Sequence, residues 1–136
     1  MKTDEQLREG FKVYRSEDES IIYVSFFHNE TETDDNVRAT ELVIGDIQII
    51  MSTAPGTVFA ALVDTVPIGG GLRVVLPESR KKYAELISND HVQKVAFLGT
   101  NDLVASLIGT IADLTGHPGK VKWFSDAEEA KDWLKE

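Results

Sequence analysis

The chain contains no cysteine. That absence removes a disulfide framework, a thiolate metal site and a cysteine nucleophile together. No apolar run approaches the roughly 18 residues that a bilayer-spanning helix requires. The start, Met1-Lys2-Thr3-Asp4-Glu5-Gln6, is polar and acidic where a secretory signal needs a basic residue cluster and an apolar stretch. Both features read as a cytoplasmic protein with no stable membrane insertion. Positive charge is scarce as well: 14 Lys and Arg face 23 Asp and Glu, a formal net charge of −9. Such a surface opposes nucleic acid and anionic membranes, which are held chiefly by Lys and Arg. The one basic cluster, Arg80-Lys81-Lys82, lies between Glu78 and Glu85 and reads as a solvated helix face.

Repeats, low-complexity tracts and Pro/Gly/Ser linkers are also missing, so residues 1–136 are expected to form one domain around one core. Residues 1–10 read as a flexible or short helical extension. Phe11 to Tyr14 and Ile21 to Phe27 are short aromatic and β-branched runs around a polar connection, the pattern of a β-hairpin. From Val37 to Met51 the apolar positions Val37, Val43, Ile44, Ile47, Ile50 and Met51 fit one side of a helix, although β-branching and Gly45 weaken it. Pro55-Gly56 ends that segment. Thr57 to Asp64 then reads as a strand buried on both faces.

A helix is expected over Pro77 to Ser88, with Tyr83, Ala84 and Ile87 on its buried stripe, followed by a strand over Val92 to Leu98. Thr100-Asn101-Asp102 caps a further helix whose Leu103, Leu107, Ile111 and Leu114 recur at helical spacing before Gly116 stops it. Gly119 to Phe124 reads as the last strand. Ser125-Asp126-Ala127-Glu128 is a capping-box pattern, and Ala130, Trp133 and Leu134 of the helix it opens should pack on the sheet. A hairpin followed by alternating strands and helices predicts an α/β sandwich with a mixed, mostly parallel five-stranded sheet packed by about four helices.

Ligands of such sheets favour the carboxyl ends of the parallel strands. That places an interaction or ligand loop at Asp64, Gly69, Gly70, Gly71, Arg73, Thr100 and Asn101. Gly69-Gly70-Gly71 lacks the Gly-Lys-Ser/Thr that follows in a nucleotide loop and reads as a loop of close backbone approach. Asp64 stands where a receiver-type phosphoacceptor would. The acidic pair and the late lysine of that site are missing, so it reads as a turn or cap residue. His28, His91 and His117 have no partner at metal-ligand spacing. Glu30, Glu32, Asp34 and Asp35 lack the order of a calcium loop and read as a solvated acidic loop. No catalytic residue, metal ligand or cofactor is nominated.

Three stretches carry a family resemblance: Phe59-Ala60-Ala61-Leu62-Val63-Asp64-Thr65; Pro77 to Ala84 with Val92 to Leu98; and Val121-Lys122-Trp123-Phe124 running on to Leu134. Together they make residues 11–136 resemble the SpoIIAA-like branch of the STAS domains. The resemblance implies a non-enzymatic interaction or regulatory module with a protein partner. In STAS antagonists the switch is a phosphorylated serine in an Asp-Ser-Ser-Gly-Leu-like turn. Here Gly69-Gly70-Gly71-Leu72 offers no hydroxyl, which leaves Thr65 and Ser79 as phosphorylation candidates. The comparison of such proteins with the SEC-fourteen lipid-transfer fold implies an alternative, a carrier or sensor of a small apolar molecule held between sheet and helices, with Val37 to Met51 as a cover. Exposed edge strands make a homodimer reasonable.

Overall fold

Alternation along the strands decides the layers, because successive side chains of a strand point to opposite faces. The computed structural model describes residues 2–16, 20–28, 30, 32–66, 77–99 and 102–136, with the side chains of 102–107 outside that description. The elements run α1 (Asp4–Arg8), β1 (Phe11–Arg15), β2 (Ile21–Phe26), α2 (Thr33–Ser52), β3 (Phe59–Asp64), α3 (Pro77–Ile87), β4 (Val92–Leu98), α4 (Asp102–Thr115), β5 (Val121–Phe124) and α5 (Ala127–Lys135). The five strands form one sheet in sequence order. β1 and β2 are antiparallel, and every later neighbour pair is parallel. This is the mixed α/β sandwich that the sequence suggested, consistent with a STAS-like architecture, with five helices in place of about four.

Strand order and handedness together place the helices. Each crossover from β2 to β5 steps to the next strand in the same direction, and right-handed crossovers then put α2, α3 and α4 on one face. The packing clusters agree. Ile22, Val24 and Phe59 meet Leu42, Val43 and Ile47 of α2, while Val95, Phe97 and Val121 meet Ile87 of α3 and Ile108, Ile111 and Ala112 of α4. The alternate residues Ile21, Ala60, Leu62, Ala96, Leu98 and Phe124 face the other way, onto Ala130 and Leu134 of α5. Small side chains at Ala60 and Ala96 allow α5 a close approach, and Ala130 and Ala96 are fully buried. Trp133 lies half-buried at the rim of this layer, its ring 5.6 Å from that of Phe124.

Several boundaries differ from the sequence expectation for local reasons. The start of the expected last strand is a 3-10 turn, Pro118–Lys120, since proline cannot donate to a ladder. Asp126, not Ser125, caps α5, accepting from the Glu128 amide at 3.0 Å. Among the described side chains of α4, Ile108, Ile111, Ala112 and Thr115 are buried, whereas Leu114 is exposed. Gly116, at φ 72°, ends that helix as expected.

At the N-terminus the extension takes the short helical form that was one of its two expected forms, and it packs into the core. Residues 4–8 form a short helix with a Thr3–Gln6 capping box, and Leu7 is 1% exposed in the α2 cluster. Five residues cannot hold a helix alone. α1 is held against α2 by Leu7 and by the ion pairs Asp4–Arg38 and Arg8–Asp46.

Candidate ligand cavity

On the α2–α4 face, α2 packs on β1, β2 and the start of β3, α4 packs on β5, and α3 lies between them against β4, with a gap left over the centre of β3. A small residue, Ala61, stands at the centre of β3, level with Ile22 of β2 and Val95 of β4. Ala61 and Val63 are only half-buried although β3 is the middle strand of five. The gap is a cavity of about 110 Å³. Its floor includes Ile22, Ala61, Val63 and Val95, and its roof Val43, Ile47, Tyr83 and Leu86.

One end of the cavity is polar. There Leu7 and Gly10 meet His28, Glu30, Asn36 and Thr40. Gly10 is closely approached: a Cβ at that position would lie 3.4 Å from both the His28 Cβ and the Leu7 carbonyl oxygen, and the Gly10 carbonyl accepts from the amides of Phe27 and His28.

Helical spacing builds this end. Asn36, Thr40, Val43 and Ile47 follow one another at intervals of four, three and four along the buried side of α2. The inward stripe thus starts polar and turns apolar, rotated from the Val37/Ile44 face that hydrophobicity alone suggests.

The polar groups at this end are largely bonded to one another. Ser79 Oγ donates to Asn36 Oδ1 at 2.8 Å, and Asn36 Nδ2 donates to the Glu30 carbonyl at 2.8 Å. Thr40 Oγ1 donates to the Asn36 carbonyl at 3.1 Å and shares a hydrogen bond with Tyr83. Burial pushes the Tyr83 phenol up to about 12, against the smaller opposing effect of its bond with Thr40. Glu30 and Asp35, expected in a solvated acidic loop, are buried instead. Lys2 joins them: its Nζ lies 3.0 Å from Glu30 Oε2, and its backbone amide donates to Asp35 Oδ1 at 3.1 Å.

Of the site residues singled out from sequence, Asp64, Thr65 and Ser79 fall within the described structure. Asp64 Oδ1 accepts from the Val66 amide at 2.9 Å, the turn role expected of it. Thr65 and Ser79 are both 0% exposed. Thr65 Oγ1 donates to the Leu98 carbonyl at 2.7 Å, and Ser79 is committed to Asn36, so neither hydroxyl is presented to solvent. Gly69, Gly70, Gly71, Arg73, Thr100 and Asn101 lie outside the described residues. His91 and His117 occupy turns in which their amides donate to Asn89 Oδ1 and Thr115 Oγ1. His28 alone of the histidines lines the cavity.

Among the described residues no group of three or more His, Asp or Glu is placed to hold a metal ion, and no helix is long and apolar enough to cross a membrane. Fold and site together define an α/β sandwich with an interlayer apolar cavity that is polar at one end. Comparison with protein-family models, with curated proteins and with solved structures finds no match.

Proposed function

We propose that this domain binds a small apolar molecule between the sheet and helices α2 and α3, and acts as its carrier or sensor. The observation that carries this reading is the cavity over Ala61, at the centre of a sheet face that a dry core would close. Ligand pockets are characteristically apolar hollows with a few convergent polar groups, and this one adds Glu30, Asn36, Thr40 and Tyr83 at a single end. The size suits a compact molecule. An engineered apolar cavity of about 150 Å³ in another protein stays dry and admits benzene.

Native followed by denaturing mass spectrometry, on protein purified without added ligand, tests the reading together with benzene or xenon titration followed at the Ala61 and Val63 methyl resonances. A mass excess lost on denaturation, or methyl shifts confined to the cavity, supports a carrier. Ligand-free protein whose cavity methyls ignore both probes overturns it and restores the STAS-like protein-interaction module as the leading proposal.

A further inference from the structure

We infer that the ligand carries one polar group, placed at the Glu30 end, and that this group is a hydrogen-bond donor, an alcohol or an amine in preference to a carboxylate. The inference rests on the cavity reading above and adds the head-group class. Except at this end, the described residues of the walls offer no side-chain polarity, so a polar atom against them would lose its water without replacement.

At the polar end the side-chain donors of α2 and α3 are already committed. The Ser79 hydroxyl, the Asn36 amide and the Thr40 hydroxyl donate to acceptors within the network, and Tyr83 is bonded to Thr40. Glu30 differs. Its carboxylate only accepts, with about four lone-pair sites on two oxygens. Lys2 Nζ donates to it, while His28 Nε2 stands 3.7 Å away, beyond hydrogen-bond length. Among the described residues, acceptor capacity therefore remains where the cavity ends. The charge agrees, since the half-exposed Lys2 ammonium meets the buried Glu30 carboxylate while the buried Asp35 carboxylate accepts from the neutral Lys2 backbone amide, in a chain of net charge −9. A ligand carboxylate would meet like charge; a hydroxyl or ammonium group would complete the site.

Four probes decide the matter on the full chain at neutral pH: benzene, hexan-1-ol, hexylamine and hexanoate, with affinity read from the cavity methyl resonances. Hexanol and hexylamine are expected to bind at least about tenfold more tightly than hexanoate, the scale of one partly screened like-charge contact. Glu30→Gln should remove most of that difference. Should Glu30→Gln fail to fold, Lys2→Ala serves: its side chain is half-exposed, and its loss should widen the gap between amine and carboxylate. Hexanoate binding as tightly as hexanol, or benzene binding while every six-carbon chain is refused, overturns the head-group inference and leaves the cavity reading standing. Failure of benzene and hexanol alike overturns the cavity reading itself.

Discussion

Filling the cavity from its floor should stabilise the protein and abolish ligand binding together. Ala61→Val places two additional carbons above β3, between Ile22 and Val95, where the space lies. Burying two carbons is worth at most about 1.6 kcal/mol at 0.8 kcal/mol each. The void sets a ceiling: 110 Å³ at about 24 cal/mol per Å³ corresponds to roughly 2.6 kcal/mol. Imperfect fit reduces the gain and the β-propensity of valine assists it, so an increase of about 1 kcal/mol is expected. Urea unfolding should show a higher midpoint at unchanged slope, and thermal unfolding a Tm raised by a few degrees. Ala96→Val is the matched control. Ala96 is 0% exposed in the cluster packed beneath α5, so the same chemical change should cost about 1–3 kcal/mol. Destabilisation of Ala61→Val by 1 kcal/mol or more would show that the space is absent and would refute the reasoning.

Three further outcomes follow from the polar end and from α1. Ser79→Asp should destabilise by at least about 3 kcal/mol in urea unfolding, because it buries a charge against Asn36 Oδ1; a folded, equally stable variant would restore Ser79 as a workable switch. Tyr83 links stability to alkaline pH. Its folded pKa, about 12, lies above the ordinary 10.0, so its contribution is intact below pH 10 and is lost as pH rises to 12. The loss amounts to about 2–3 kcal/mol. Tyr83→Phe should lack that loss when unfolding is measured across the same window, and an identical profile would contradict burial of the phenol. Leu7→Ala should release α1, raising hydrogen exchange of residues 4–10 far more than that of β3 and β4; uniform acceleration throughout the sheet would show that α1 does not open independently.

The layers of this fold are written in short-range pattern, and the cavity is not. The hairpin, the buried run before Asp64, the strand Val92–Leu98 and the glycine stop after α4 are set by alternation and turn chemistry within a few residues, which is why they can be read directly. The inward stripe of α2 begins with Asn36 and Thr40, and a hydrophobicity pattern passes over polar residues that are buried because they bond to one another. Glu30 and Asp35 mislead similarly: their burial depends on Lys2, about thirty residues away in sequence. Ala61 carries no local sign of its role, since an alanine in a strand reads the same over a void as under a closely packed helix. The spacing of Asn36, Thr40, Val43 and Ile47 was the one available signal, and it becomes legible when polar residues are admitted to the helical stripe.

α1 joins the cavity to the dynamics of the protein. Leu7 and Gly10 line the cavity at its polar end, and Lys2 supplies the ammonium that meets Glu30, so the N-terminal segment both covers that end and completes its charge. The anchors of the segment differ in kind. Leu7 contributes about 1.5–3 kcal/mol by burial. The pair Asp4–Arg38 is exposed and sensitive to salt; the hydrogen bond from Arg38 holds the Asp4 carboxyl below the usual range, so its contribution persists above that range and is lost as pH falls through the lowered value. Among the described residues no ion pair involves β3 or β4. Salt should therefore loosen residues 2–10 before it affects the sheet, and a ligand seated against Glu30 should reverse that loosening by binding only the closed arrangement. Access to the cavity would then follow from the marginal stability of a five-residue helix, with the sandwich beneath it unchanged.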